Sequence, residues 1–457
     1  MTTKGQSTKR SGGKKKTSIR PTFLDPDQIP VELEKLYPAS VIDKIAEDTG
    51  FIKRKRTIQA VLFFWTIILE FGMNLQKTLS GLRRRYEEMS GEKIVISSWF
   101  ERFTPELVNF MRELALYGLQ QTINDSGRVL TDKLNRFKDV FIFDNSIVRV
   151  HQALAKRFPA TRSKVVSAGI KVSLLISAVA NGPRKVTIHS ERTADIKTIS
   201  IGPWVRDHVL LFDLGFYKFQ LFARIKRNGG FFVSRMKRNG NPMFLQSLKV
   251  YRGRAIELVG LHWQEIRDRI KRKVLDADVE VTFSRRPYND KQTRDSMVLR
   301  LVAIWDDKDS EYHVYMTNIP PDVLSAEDIA ALYKVRWEVE LVFKELKSQY
   351  ALDKVKTKNP SIILGFIWAA IITLIVSRRL HNLLLRSVPI EMRSRYTPLR
   401  WSIIFMEFGR KLRDGLEYYF ESDDRCWDLF TQLAAFYELE AKDPNVKRSR
   451  LRDGWYA

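Results

Sequence analysis

"ALYKVRWEVELVFKELKS", residues 331–348, has a helical apolar pattern with a row of polar and charged side chains beside it. An α-helix turns about 100° per residue. Tyr333, Arg336, Glu340 and Lys347, spaced three, four and seven residues apart, therefore fall on one narrow stripe. Leu332, Val335, Val339, Val342 and Leu346 form a second stripe roughly 110° round the same helix. Glu338 and Glu345 lie on the far side of the charged row, where the pattern puts them in water. One continuous helix would thus bury an apolar face and hold a Tyr–Arg–Glu–Lys row at its margin. On an isolated helix such a row is no more than scattered ion pairs, so the rest of the chain decides its meaning.

The chain has 457 residues, of which 44% are hydrophobic and 11% aromatic, enough for two or three domains around a large buried core. Its formal net charge is +25. Residues 1–20 hold seven Lys or Arg and no acid, yet without them about +18 remains on the rest. A basic excess spread over a folded body favours a polyanionic partner with salt-dependent binding, and nucleic acid is the expectation. Cys426 is the single cysteine, which excludes an intramolecular disulfide and a thiolate zinc cluster and suits a reducing cytoplasm. The N-terminus has no apolar stretch of the secretory-signal kind. "IILGFIWAAIITLIV" (362–376) is shorter than the ~20 residues that span a bilayer. With Asn359 and Pro360 before it and Arg378 and Arg379 after it, it reads as a buried core helix.

Residues 1–22 are polar and basic. From 23 to about 135 the spacing is helical, with Ser97 or Ser98 as a candidate N-cap of a short helix in a possible helix-turn-helix, and Arg83, Arg84 and Arg85 as phosphate contacts or a solvated face. From about 136 the period changes to that of strands: 139–150, 171–180 and 184–192, the last two joined through Asn181-Gly182. A helical candidate at 194–206 follows, then a strand at 208–213, a helix in 217–229 and a strand at 230–239. Residues 240–322 are strand-rich and end in a hairpin around "DDKDS". Beyond 386 the chain is helical and basic.

Two apolar strands each carry one acid: "VFIFD" ends at Asp144 and "VLLFD" at Asp213. A carboxylate at the end of a buried strand is costly unless it is paired or holds a cation. With Glu340 they make a spaced set of three acids. Hard oxygen donors, few histidines and one cysteine favour Mg²⁺ or Mn²⁺ over zinc. Two such ions about 4 Å apart would activate a water or 3′-hydroxyl and stabilise the leaving oxygen of a phosphodiester. Arg336 and Lys347 then flank Glu340 to hold phosphates, and Tyr333 adds a hydrogen-bond donor.

The spacing Tyr333-x2-Arg336-x3-Glu340-x6-Lys347 resembles the Y-x2-R-x3-E-x6-K signature of the DDE transposases of the IS-four family of insertion sequences. "FDNS", "FDLGFYKFQLFARIKRNGGFFVSRMKRN", "AGIKVSLL", "YHVYMTNIP" and "GFIKRKRTIQAVLFFW" are similar to other segments of that family, so the likeness covers roughly 30–385. It implies an α/β fold with an RNase H-like catalytic domain in two parts, 136–239 and 323–385, around a strand-rich insertion at 240–322. It further implies a helical DNA-binding region at 23–135 and a helical C-terminal region at 386–457, a candidate for dimerisation. Asp144, Asp213 and Glu340 would be the catalytic metal ligands, with Tyr333, Arg336 and Lys347 on DNA. The implied activity is metal-dependent cleavage at terminal inverted repeats of double-stranded DNA and strand transfer by the 3′-hydroxyl, by a homodimer on DNA. A nuclease without strand transfer, or a non-catalytic DNA-binding descendant, are the alternatives.

Other residues carry weaker signals. His151, near the first strand, is a minor candidate for the site, and His189 reads as a satisfied sheet histidine. Asp195 reads as a helix-start acid. Asp306, Asp307 and Asp309 lack the spacing and Gly of a calcium loop and read as a solvated turn. Trp263 and Trp305 read as core rather than base-stacking platforms. Arg224, Lys226, Arg227, Arg235, Lys237 and Arg238 form a candidate DNA-facing cluster.

Overall fold

The computed structural model describes residues 20–53, 58–70, 78–123, 128, 130–161, 167–249, 256–284, 293–355 and 357–445. Most of the basic tail expected at 1–22 lies outside them. The N-terminal region is helical as expected: α1 (Gln28–Leu36), α2 (Ala39–Asp48), α3 (Ala60–Glu70), α4 (Leu79–Ser90), α5 (Ile96–Phe100) and α6 (Pro105–Gln121). Pro38 divides the first of these from the second, since proline has no N–H to continue a helical ladder. Neither Ser97 nor Ser98 is a cap: both lie inside α5, whose N-cap is Val95. The Arg83–Arg85 run is largely committed within the protein, with Arg83 paired to Glu87 and Arg85 to Glu88 at 2.6 Å.

The strands are β1 (Asp139–Arg149), β2 (Gly169–Ser177), β3 (Gly182–Ser190) and β4 (His208–Phe212), then α7 (Phe219–Arg227) and β5 (Phe231–Arg235). Asn181 takes a positive φ of 54° in the turn before β3, a backbone state asparagine tolerates better than most residues. The stretch 194–206 is not one helix. It forms two short 3₁₀ turns, Asp195–Lys197 and Pro203–Val205, because Gly202 and Pro203 break any longer ladder. Then come β6 (Met243–Ser247), α8 (Trp263–Ile266), β7 (Val274–Ser284), β8 (Arg294–Asp306) and β9 (Glu311–Thr317), the last two a hairpin as expected.

All nine strands form one sheet in the order β3-β2-β1-β4-β5-β9-β8-β7-β6. β1, β2 and β3 are antiparallel neighbours, while β4 and β5 run parallel to β1. The order 3-2-1-4-5 with these directions is the RNase H-like arrangement. The strand-rich segment joins the same sheet through antiparallel pairing of β9 with β5.

The remaining elements are α9 (Ala326–Lys334), α10 (Trp337–Ser348), α11 (Pro360–Ser387), α12 (Ile390–Arg393), α13 (Pro398–Phe420) and α14 (Arg425–Glu440). Asn359 caps α11 by accepting from the Ser361 amide at 2.8 Å, with Pro360 at its first position. α11 runs on past Arg378 and Arg379 to Ser387, longer than the apolar stretch suggested. By length and composition it could cross a membrane, but here it is buried almost all round by protein. It packs against α1, α3, α6, α10 and α13, so one hydrophobic core joins the N-terminal helices, one face of the sheet and the C-terminal helices. The contact of α6 with α1's end is so close that a Cβ on Gly118 would stand 2.0 Å from the Tyr37 hydroxyl. A second core lies on the other sheet face, under α7 and α8.

The stretch 331–348 is two helices, not one. Across the break the amides of Val335, Arg336, Glu338 and Val339 bond three residues back, at 3.0, 3.1, 2.9 and 3.3 Å. This 3₁₀-like winding advances about 120° per residue rather than 100° and rotates α10 relative to α9. The apolar stripe is buried as expected. The two acids assigned to water are not in it. Glu345 is 1% exposed and paired with Arg378 of α11, and Glu338 is paired with Arg128 at 3.0 Å. α11 covers the side of α10 that an isolated helix would leave to solvent.

Candidate active site

β1 and β4 are parallel, and their register pairs Phe143 with Phe212. The next residue of each chain, Asp144 and Asp213, therefore emerges side by side from the central strands. Side chains alternate along a strand. Val140 and Ile142 enter the core under the helices while Phe141 and Phe143 enter the opposite one, so Asp144 shares the helical face with Ile142. Asp213 follows Val209 and Leu211 onto that same face. α10 packs on β1 there and brings Glu340 in its first turn.

Arg336, at the N-cap of α10, joins the acids. Its Nη2 donates to Glu340 Oε1 at 2.7 Å, and its Nη1 lies 3.9 Å from Asp144 Oδ2. The guanidinium is mostly buried, Asp144 is 20% exposed and Glu340 is 35% exposed. Burial pushes the Asp144 carboxyl up to about 6, and the charges of Asp213 and Glu340 add to this against the Asn145 amide and Arg336. Burial works against the Arg336 charge, but the Glu340 bond and the charges of Asp213 and Glu340 outweigh it and hold its pKa above the ordinary value. Three acids thus share one arginine in a partly desolvated cleft.

The other members of the row separate. Tyr333, on α9, is 9% exposed and donates its hydroxyl proton to the Phe212 carbonyl at 3.1 Å. Its ring packs at 5.2 Å on Tyr315 of β9 and lies 5.9 Å below the Arg336 guanidinium. Lys347 is half-buried, two turns along α10 from Glu340, and makes no ion pair with a described residue. An open groove of about 700 Å³ shares Arg336 with the acids and is lined besides by Arg235, Lys334 and Trp337. Trp337 is 56% exposed; it sits within 331–348, and only its position on neither stripe could have flagged it.

Asp195 begins a short turn, as expected. Its carboxylate is taken up by Lys171 at 2.6 Å and by the Asn145 side chain at 2.8 Å, on the sheet face opposite Asp144. His151 caps a 3₁₀ turn by accepting from the Ala153 amide at 3.1 Å, and His189 bonds Thr187 at 2.9 Å. Trp263 is buried against Tyr312, and Trp305 packs on the same ring at 5.0 Å. In the basic cluster, Lys226 donates to the Val298 carbonyl and Arg235 lies 3.6 Å from Glu311. Among the described residues, one set of three potential ligands lies within 4.8 Å of one another: Asp306, Asp309 and His313 in the β8–β9 turn. Asp307 instead pairs with Lys273 at 2.7 Å. Asp144, Asp213 and Glu340 stand further apart than that span.

Residues 135–376 match the family profile described as "Transposase DDE domain". The chain is 23% identical over 375 residues to the transposase for insertion sequence element IS1151 of Clostridium perfringens, covering 76% of this chain and 78% of that protein. It is also 23% identical over 358 residues to the transposase for IS231F of Bacillus thuringiensis subsp. israelensis, covering 71% and 74%. The cryo-EM structure of a piggyBac transposase synaptic complex with hairpin DNA aligns with 95% of this chain and 86% of its own at 12% identity, with a TM-score of 0.43.

Proposed function

Because the chain belongs to the transposase DDE domain family, we propose that Asp144, Asp213 and Glu340 are the acids with which it cuts and rejoins DNA. The protein is a DNA transposase, an enzyme of phosphodiester hydrolysis and transesterification, and its family uses divalent metal. The observation that carries the residue assignment is the meeting of the middle of β1, the end of β4 and the first turn of α10, with Arg336 set against Asp144 and Glu340.

The donor set suits a hard cation. It is all carboxylate oxygen, it holds three acids against the single arginine Arg336, and burial, with the neighbouring acids adding to it, makes Asp144 hold a proton more tightly than usual. Mg²⁺ is the proposed ion, with Mn²⁺ substituting, and two ions in the working site. Bound there, they would activate the attacking water or 3′-hydroxyl and offset charge on the leaving oxygen. Asp144, Asp213 and Glu340 would hold the ions, and the pairing of β1 with β4 and the packing of α10 on β1 would fix the three carboxylates relative to one another. Arg336 presents a planar set of donors to a phosphate at the cleavage point, and Lys347 offers a point charge further along the same backbone. The basic body supplies the sequence-independent part of DNA affinity.

The proposed substrates are transposon terminal inverted repeats, followed by target DNA attacked by the freed 3′-hydroxyl. Residues 23–135 serve DNA binding, 136–239 with 323–385 the chemistry, and 386–457 the contact between two copies on DNA. The basic charge suits residence on the nucleoid in the cytoplasm. The test is strand cleavage of a plasmid carrying the DNA that flanks this protein's own gene, with Mg²⁺ or EDTA. Metal-dependent nicking at defined ends, lost in Asp144→Ala, Asp213→Ala and Glu340→Ala while DNA binding persists, is expected. Nicking that survives these substitutions would move the site elsewhere.

A further inference from the structure

Tyr333 belongs by spacing to the row expected to face DNA, yet its hydroxyl is directed inward. We propose that Tyr333 is a positioning residue for Asp213, holding the strand end from which that carboxylate projects, an inference that rests on Asp213 being a metal ligand. The peptide group is planar, so the Phe212 carbonyl, the Asp213 amide and the Asp213 Cα move as one unit. The Phe212 carbonyl accepts the Tyr333 hydroxyl at 3.1 Å, and one residue later the chain leaves the sheet. Past Phe212 the pairing of β4 with β1 and with β5 ends. The tyrosine thus secures the last peptide before Asp213 where the ladder no longer does.

The ring is itself held. It is 9% exposed, packs on Tyr315 from β9, and stands below the Arg336 guanidinium that binds Glu340. One side chain therefore links β4, β9 and the start of α10, the elements that set Asp213 and Glu340 relative to each other. Burial pushes the hydroxyl up to about 12, so it remains a donor across the working range. The hydroxyl proton is directed to an internal carbonyl.

Tyr333→Phe keeps the ring and its packing and removes only the hydroxyl. Two measurements separate the roles: Mn²⁺ binding to the DNA-free full chain by electron paramagnetic resonance, and affinity for the flanking-end DNA in EDTA. The expected result is Mn²⁺ binding weakened roughly three- to tenfold, the effect of one lost buried hydrogen bond, with DNA affinity within about twofold of the parent. Unchanged Mn²⁺ affinity, or a loss of DNA affinity as large as the loss of Mn²⁺ affinity, would overturn the assignment. Asp213→Ala, measured alongside, should abolish the tight Mn²⁺ signal. If it does not, the ligand assignment itself fails, whatever Tyr333→Phe shows. Should Tyr333→Phe fold poorly, Tyr315→Leu releases the ring while leaving the hydroxyl, and Mn²⁺ affinity should again fall ahead of DNA affinity; no change there would refute the proposal equally.

Discussion

Replacing Arg378 with methionine would leave the Glu345 carboxylate inside the protein with one hydrogen bond, from Tyr350 at 2.7 Å. Glu345 is 1% exposed and Arg378 3% exposed, and no water can take the arginine's place without opening the α10–α11 contact. Burial raises the Glu345 carboxyl and the Arg378 charge opposes that rise, so the pair is stable only as a pair. Breaking such a pair costs about 3–5 kcal/mol, whereas replacing both members with apolar residues of similar size is often neutral or stabilising. For 457 residues at about 2.1 cal/mol/K each, the entropy of unfolding is about 1 kcal/mol/K, so each single variant should melt about 3–5 °C lower. Glu345→Leu and Arg378→Met should each show that drop in calorimetry, and the double variant should recover most of it. Cleavage at a temperature well below melting should recover with it, since α10 also carries Glu340. Additive losses in the double variant, near twice the single drop, would refute the reasoning, as would singles that melt like the parent.

Asp144 titrates near 6, so a proton competes with any cation below that pH. Mn²⁺ affinity should rise about tenfold per pH unit up to about 6 and level off above it. Asp144→Asn should abolish the slope as well as the tight binding, which titration calorimetry across pH 5 to 8 would show. Lys347→Ala should lower the slope of log affinity against log salt by about 0.9 and weaken binding alike on end and unrelated DNA, as expected for one phosphate contact; an end-specific loss with no change of slope would argue against that role. Gly118→Ala forces a methyl against the Tyr37 hydroxyl and should lower the melting point by about 1–3 °C through overpacking. Glu438 accepts the backbone amides of Thr22 and Phe23 at 2.7 and 2.6 Å and that of Leu24; Glu438→Ala should speed hydrogen exchange at those three amides and leave α14 protected.

Local chemistry set much of this fold on its own. Alternating and continuous apolar runs marked β1 to β5, Asn359-Pro360 marked the start of α11, and the spacing of Arg336 to Glu340 put both one turn apart, where they pair. These are effects of residues within a few positions of one another, which is why they are readable along the chain. Three decisions needed the tertiary structure. The register of β1 against β4 brings Asp144 beside Asp213 across a long connection. The tightened turn at Val335–Arg336 has no Gly or Pro to announce it, and it rotates α10 away from α9, so Tyr333 reaches the Phe212 carbonyl instead of sharing a face with Lys347. Glu345 is buried because α11, apolar on nearly every side, must be covered all round, and Arg378 within it selects an acid from whichever helix lies across. An arginine in so apolar a run was the one local sign of that partner. Which acid answers it depends on how α10 packs, and packing is settled only when the whole core closes.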